Sequence, residues 1–225
     1  MRFAKPHLDV GVFTNNLEPM LEFWQKAVEL PFESLLPTGG GNQQHRHVMN
    51  GSIFKLNHVR DPLPDSGPTG YRELVVARRD RVRELTDPDG NRVTLVPKGH
   101  DGVIGIAVKM RVRSLAAAEK YYGGALGFEV LGGGKFRFGN SLLWLEEDPS
   151  QPETGEMRGR GYRYLTAQVF DVDEEHAGVL ERGGREGQPP RTLGATARIS
   201  FVRDPDGNWL EISQRASLTG PLEKE

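Results

Sequence analysis

The pentapeptide DPDGN occupies residues 87–91 and returns at residues 204–208. Each copy runs into a short apolar stretch, at residues 92–96 and 209–213. Proline presets φ at the second position of a turn, and Gly or Asn accepts the positive φ that follows. Each copy therefore predicts a tight turn that feeds a final strand. Two copies of one turn and strand indicate two copies of one domain.

Further matches between the two halves locate a deletion. Residues 23–24 (FW) align with residues 121–122 (YY) at an offset of 98, and residues 70–72 (GYR) align with residues 161–163 (GYR) at an offset of 91. The two DPDGN turns align at an offset of 117. The increase from 91 to 117 indicates that the first half has lost most of one helix and a strand. The predicted domains are residues 1–98 and 103–215, joined by a linker at 97–102.

Each half begins with the same order of elements: a strand, a helix and three strands. The first strand is expected at residues 7–13, and apolar residues then recur at helical spacing from Met20 to Val28. The remaining strands of the first half are expected at 32–36, 45–49, 53–59, 71–77, 81–86 and 92–96. Those of the second half are expected at 104–112, 128–131, 135–138, 142–145, 164–170, 198–202 and 209–213, with helices after Ser114 and Asp173.

The dipeptide Asn50-Gly51 is a strong hairpin signal. A two-residue turn there would pair His47 with Phe54 and Arg46 with Lys55, which places His47 on the opposite face from Lys55. A slip of one residue would reverse the faces. Both registers remain open from the sequence.

The amino-acid composition argues against several classes of partner and of functional site. The 225 residues carry a net charge of -2 with interspersed acidic and basic side chains, which indicates no nucleic-acid partner. There is no cysteine, so disulfides, thiolate ligands and cysteine nucleophiles are excluded. No signal peptide or membrane span is recognisable, and the expected location is the cytoplasm.

Several stretches together resemble the vicinal oxygen chelate superfamily of glyoxalases, bleomycin-resistance proteins and extradiol dioxygenases. They are residues 7–10 (HLDV), 23–30, 121–128, 170–173 (FDVD) and both DPDGN turns. The resemblance implies an α+β fold of two tandem domains, in which paired βαβββ modules form open, cup-shaped mixed sheets. The second module of the first domain is the truncated one.

The resemblance also implies a divalent metal in the cup, held by side chains from the first and last strands of the modules. His and carboxylate ligands suit Fe, Mn, Ni, Zn or Co and leave open positions for two vicinal substrate oxygens. The corresponding positions of this chain are His7, Lys55, Glu73 and Thr94 in the first half, and Gly105, Trp144, Tyr164 and Glu211 in the second. Neither half keeps a standard ligand set.

The candidate metal ligands are therefore His7, Glu73 and Glu211, with His47 of the hairpin as a further ligand. Strand alternation points Glu211 away from the core face, and an alternative is that it bonds Tyr164 or an arginine. Each His also has a structural interpretation as a hydrogen-bonded or surface side chain.

The candidate substrate-binding residues are two cations and two aromatic side chains. Lys55 and Arg46, if they share a face, would bind a carboxylate or phosphate. Trp144 and Tyr164 would stack on a flat ligand, or would simply fill the cup expected in the second half of the chain.

Three functions are compatible with these residues. The first is a metal-dependent lyase, isomerase or dioxygenase that acts on a small anionic substrate with vicinal oxygens. The second is a non-catalytic, bleomycin-resistance-like protein that binds a small molecule with degenerate metal sites. The third is a structural relic with filled cups. The resemblance allows cups within one chain or across a homodimer.

Overall fold

The computed structural model of the chain describes residues 1–222 and consists of four modules. Module 1 comprises β1 (Asp9–Thr14), α1 (Leu17–Glu22, continued by a π-helical turn at Phe23–Ala27), β2 (Phe32–Gly39), β3 (Asn42–Met49) and β4 (Ser52–His58). Module 2 comprises β5 (Tyr71–Ala77), β6 (Arg83–Thr86) and β7 (Arg92–Val96).

The second half contains the other two modules. Module 3 comprises β8 (Ile106–Val112), α2 (Leu115–Glu119, continued by a π-helical turn at Lys120–Ala125), β9 (Glu129–Gly132), β10 (Lys135–Phe138) and β11 (Ser141–Glu147). Module 4 comprises β12 (Gly161–Gln168), α3 (Val172–Glu181), β13 (Arg185–Leu193), β14 (Ala197–Arg203) and β15 (Trp209–Arg215), followed by α4 (Ala216–Thr219). The predicted loss of a helix and a strand from module 2 is confirmed.

The strands form two curled mixed sheets, as the α+β prediction requires. One has eight strands in the order β13-β14-β15-β12-β1-β4-β3-β2, and the other has seven in the order β6-β7-β5-β8-β11-β10-β9. The antiparallel pairs β1–β12 and β5–β8 lie at the junction of two modules in each sheet. We call the concave face of the eight-stranded sheet the first cup, and that of the seven-stranded sheet the second cup.

Each cup takes one module from each half of the chain. Modules 1 and 4 build the first cup, and modules 2 and 3 build the second. The expectation that the two modules of one half share a cup is therefore wrong. The linker at 97–105 is short and keeps modules 2 and 3 in one sheet, whereas the longer loops 59–70 and 148–160 cross between the sheets. The bounds 1–98 and 103–215 stay a prediction about the sequence duplication.

The Asn50-Gly51 turn has the two-residue register. Both residues have positive φ, 52° and 88°, and Arg46 pairs with Lys55 while His47 pairs with Phe54. The structure thereby decides between the two registers that the sequence left open, and Asn and Gly both accept the left-handed conformation that a two-residue hairpin turn needs. Arg46 and Lys55 consequently face the first cup, and His47 faces the helical side of the sheet.

Strand β13 was not predicted from the sequence. It contains Pro189 and Pro190, which cannot donate backbone hydrogen bonds and argue against a central strand. The structure accommodates them because β13 is an edge strand that pairs only with β14, with register irregularities between Glu186 and Gln188 and between Gln188 and Arg191.

The DPDGN turns tie each helix to the other module of its own half. Asp204 accepts hydrogen bonds from the backbone N–H of Asn208 and from the hydroxyl of Tyr122, at 2.8 Å each. In the first copy Asp87 accepts the indole N–H of Trp24 at 3.3 Å. Trp24 and Tyr122 are the residues that the repeat aligns at an offset of 98, so the duplication preserved this contact.

One apolar cluster joins the two sheets and the helices. It includes Met20 and Trp24 of α1 and its π-helical continuation, Leu74 of β5 and Leu165 of β12, all nearly inaccessible to solvent. Burial of this kind supplies the main stabilisation of a domain, at roughly 25 cal/mol per Å² of apolar surface. No helix within residues 1–222 is long and apolar enough to cross a membrane.

Candidate ligand-binding cup

A buried ion pair lies at the floor of the first cup. Lys55 Nζ of β4 is 2.6 Å from Glu211 Oε2 of β15, and it donates to Thr166 Oγ1 of β12 at 2.7 Å. Thr166 in turn donates to Glu211 Oε2 at 2.6 Å. Lys55 and Glu211 are 3% and 7% exposed, so water screens their attraction little. The predicted bond from Glu211 to Tyr164 or an arginine is replaced by this pairing with Lys55.

A second carboxylate, Asp9, lies beside this pair and was not identified from the sequence. It is fully buried on β1, where it accepts Lys5 Nζ at 2.6 Å, the backbone N–H of Ile53 at 2.8 Å and Gln168 Nε2 at 3.1 Å. An acidic residue within an apolar first strand, two positions after His7, was the available signal.

The charges at the floor act on each other. Burial lowers the pKa of the Lys55 ammonium, since a low-dielectric environment disfavours its charged form. The negative charges of Glu211 and Asp9 oppose this fall in the pKa. Lys55 therefore depends on its two carboxylate neighbours to stay charged at this depth.

The metal implied by the sequence resemblance does not fit this floor. The Lys55 ammonium lies 2.6 Å from Glu211, where it takes up the carboxylate and would repel a divalent cation. No group of three or more His, Asp or Glu side chains with the geometry for a metal ion occurs among residues 1–222. The donor set of the first cup is thus that of an ion pair.

The four residues predicted as metal ligands are dispersed. His47 lies on the helical side of the sheet, with its Nε2 3.0 Å from Gln25 Nε2, and Glu73 lies in the other cup. His7 packs its ring against Gly51, where an added Cβ would be 2.5 Å from His7 Cε1. Gly51 and Lys55 are four residue steps apart along the chain, which is roughly 13 Å in an extended strand. His7, His47, Glu73 and Glu211 therefore do not form one site.

The second cup carries a related cluster at its floor. Glu73 of β5 accepts Thr94 Oγ1 at 2.7 Å and Lys109 Nζ at 2.9 Å, and Arg92 lies 3.4 Å from its other oxygen. Burial acts to raise the pKa of Glu73, but the hydrogen bonds from Lys109 and Thr94 and the positive charges of Lys109 and Arg92 together lower it. A lone carboxylate that is saturated by cations and a hydroxyl does not make a metal site either.

The predicted substrate-binding residues divide between the cups. Arg46, Lys55 and Tyr164 line a cavity of about 680 Å³ in the first cup. Trp144 lies in the second cup, in a smaller cavity of about 390 Å³, with Lys135 Nζ 5.9 Å from its ring centre. The first cavity is within the usual size range of small-molecule sites, and we take it as the candidate functional site.

Tyr164 is held in a fixed position within this cavity. Its hydroxyl accepts hydrogen bonds from Asn57 Nδ2 at 3.2 Å and Gln44 Nε2 at 3.4 Å. Its ring lies 5.4 Å from Lys55 Nζ and covers Gly11, where an added Cβ would be 2.1 Å from Tyr164 Cε1. Burial raises the pKa of Tyr164 far above its ordinary value, so its hydroxyl stays neutral.

Comparison with known proteins supports the fold. A sequence profile described as the Glyoxalase/Bleomycin resistance protein/Dioxygenase superfamily matches residues 105–212. Glyoxalase I from Zea mays is similar in structure, with 15% identity, a TM-score of 0.70, and coverage of 95% of this chain and 92% of that chain. No curated protein matches the sequence.

A second solved structure has the same architecture. A putative dioxygenase from Bacillus subtilis subsp. subtilis str. 168 is similar at 13% identity and a TM-score of 0.68, with 95% of this chain and 86% of that chain covered. At these identities the likeness shows a shared fold and assigns no reaction.

Proposed function

Because residues 105–212 match the profile of the glyoxalase/bleomycin resistance/dioxygenase superfamily and the chain shares the fold of glyoxalase I, we propose that this protein binds a small molecule in its first cup. We propose further that the floor of this cup works without a divalent metal. The protein is then closer in activity to the binding members of the superfamily than to its enzymes.

The observation that carries this proposal is the Lys55–Glu211 contact of 2.6 Å at the cup floor. An ammonium supplies one positive charge to Glu211 and Thr166, and it has no open coordination position for substrate oxygens. The two charged groups also neutralise each other, which disfavours either of them as a general acid or base. The cavity above them remains open to a ligand.

The metal-dependent enzyme requires ligands that these residues do not supply. Of the four predicted metal ligands, only Glu211 lies at the floor of the first cup. Its carboxylate is already bonded by the Lys55 ammonium. The interpretation as a metal-dependent enzyme would be supported if a metal displaced the Lys55 ammonium and bound both Glu211 and Asp9. Its chemistry can be tested separately from ligand binding.

The first test is metal analysis of protein purified without chelators. We expect no stoichiometric transition metal, and no heat of binding for Zn²⁺, Ni²⁺, Mn²⁺, Co²⁺ or Fe²⁺ at neutral pH. Lys55→Glu replaces the ammonium with a third carboxylate near Asp9 and Glu211, and we expect this variant to bind divalent metal. Lys26→Glu, on the exposed face of α1 and its continuation, changes the net charge equally and controls for nonspecific attraction.

Two results would overturn the metal-free proposal. One is a stoichiometric metal in the wild-type protein that Glu211→Gln removes. The other is equal metal affinity in the Lys26→Glu and Lys55→Glu variants, which would mean that Lys55 does not keep metal out of the cup.

The second test addresses ligand binding itself. Ligand-detected NMR with a set of small aromatic fragments should identify molecules whose signals broaden with the wild-type protein. Ala197→Trp places a large side chain in the cavity and should abolish these effects, because Ala197 is part of the cavity wall. Fragments that bind both proteins equally would place the ligand outside the first cup.

A further inference from the structure

Arg215 is a half-buried cation of the first cup that makes no direct ion pair among the described residues. Arg215 lies at the end of β15, is half-buried, and lines the cavity. Within residues 1–222 its guanidinium makes no hydrogen bond or ion pair. A guanidinium has five N–H donors in a fixed fork, and a half-buried one normally finds an acceptor.

The nearby charges act on Arg215 in both directions. Burial, and next the positive charge of Arg46, lower its pKa, while the negative charges of Glu33, Glu211 and Asp9 oppose this fall without outweighing it. Arg46 is itself 3% exposed and donates to Glu33 at 2.7 Å and to Gln44 at 3.2 Å. Glu33 is therefore engaged by Arg46, and Glu211 is engaged by Lys55. Both carboxylates thus make their direct contacts with other cations, and their attraction for Arg215 acts only at longer range.

Another part of the lining of the same cavity is apolar. The Tyr164 and Phe201 rings lie 5.9 Å apart in an edge-to-face arrangement, and Phe13 lies 6.1 Å from Tyr164. Ile199 and Met157 extend this surface. A cavity with a cationic end and an aromatic wall is complementary to a molecule with an anionic group and a flat or branched apolar body.

We infer that the first cup binds a small aromatic anion whose carboxylate or phosphate is held by Arg215, with Arg46 beside it, and whose apolar body packs against Tyr164 and Phe201. This inference rests on the proposed ligand-binding function. The anion supplies the acceptors that Arg215 lacks and relieves its repulsion with Arg46. The bidentate geometry of a guanidinium favours a carboxylate or phosphate over a halide.

The test compares two probes of the same shape by calorimetry. 2-Naphthoate carries a carboxylate, whereas 2-naphthalenemethanol is its neutral counterpart. We expect wild-type protein to bind 2-naphthoate roughly ten- to a hundredfold more tightly, the range of one or two charge-assisted hydrogen bonds. Arg215→Gln should remove this preference, and Arg215→Lys should retain part of it. Arg137→Gln, on β10 of the other sheet, is the control and should leave the preference intact.

The outcomes separate this inference from the function on which it rests. If both probes bind equally to the wild type and to Arg215→Gln, the anion specificity is wrong while ligand binding in the cup stands. If neither probe binds, both are wrong. Ala197→Trp and Thr196→Trp, which fill the cavity from its wall and its rim, should each abolish binding. Binding that survives both substitutions in folded protein overturns the location.

Discussion

Lys55 Nζ of module 1 lies 2.6 Å from Glu211 Oε2 of module 4, and the second cup has its counterpart in Lys109 Nζ and Glu73 Oε1 at 2.9 Å. A threonine hydroxyl donates to the carboxylate in each cup, Thr166 in the first and Thr94 in the second. The repeat aligns Thr94 with Glu211, so the carboxylate and hydroxyl have exchanged strands between the cups. Both floors are organised by an ammonium.

The buried pair predicts strong coupling between its two members. Lys55→Met and Glu211→Leu each leave one buried charge without its partner, and each should lower the free energy of unfolding by about 3–5 kcal/mol. The double variant Lys55→Met/Glu211→Leu removes both charges of the pair and should recover most of that loss. Urea unfolding at pH 7 measures all of them. Losses that simply add in the double variant would show that the two side chains do not interact.

Gly11 predicts a steric limit next to the ligand cavity. An added Cβ would lie 2.1 Å from the Tyr164 ring, so Gly11→Ala must displace Tyr164 from Asn57 and Gln44. Overpacking of this kind costs about 1–3 kcal/mol. Thermal unfolding should show the loss, and Tyr164→Leu in the same chain should restore part of it. Gly124→Ala is the control because no atom lies within 4 Å of its added Cβ.

His47 predicts an acid-sensitive contribution to stability. Burial lowers its pKa from 6.5 to about 4, so between these values the folded protein binds fewer protons than the unfolded chain. The contribution is therefore lost as pH falls from 6.5 to 4, by up to about 3 kcal/mol. His47→Gln should lose less stability than wild type across this window, measured by urea unfolding at stepped pH. His100→Gln, in an exposed turn, should follow the wild type; an identical profile for His47→Gln would contradict the assignment.

Asp204 predicts a contribution of opposite sign. Burial raises the pKa of its carboxyl from 3.8 to about 6, so the folded protein binds more protons than the unfolded chain between these values. Stability from this group is greatest below pH 3.8 and is lost as pH rises through 6, by roughly 3 kcal/mol. Relative to wild type, Asp204→Asn should become less stable as the pH falls. The exposed Asp65→Asn is the control, and a constant difference between Asp204→Asn and wild type would refute the shift.

The pH ranges over which His47 and Asp204 change their contributions to stability overlap. This overlap affects how the unfolding measurements are interpreted. His47 loses stabilisation on acidification while Asp204 gains it, so their sum in the wild type is small. Only the single variants expose each contribution. A wild-type profile measured alone would therefore miss both groups.

The duplication followed from local chemistry. DPDGN and Asn50-Gly51 favour particular φ values whatever surrounds them, so the turns and their strands could be predicted. The faces of Arg46, Lys55 and His47 could not be predicted, because a slip of one residue would have reversed them. The truncation of module 2 followed from the offsets between repeats. Strand β13 could not be predicted because its two prolines argue against a strand. They are tolerated only because β13 lies at the edge of the sheet, where one side of the strand needs no backbone donors. The cytoplasmic location and the homodimer stay predictions.

The assignment of modules to cups lay beyond local chemistry. Lys55 and Glu211 are 156 positions apart, and their contact exists only because β1 pairs with β12 across the two halves. The same pairing brings Asp9 to the floor and Arg215 to the wall, neither of which was identified beforehand. Turn preferences act over a few residues, whereas strand order depends on how the whole chain buries its apolar faces. The turns are therefore encoded by the local sequence. The Lys55–Glu211 ion pair, at the floor where the resemblance implied a metal, depends on tertiary packing.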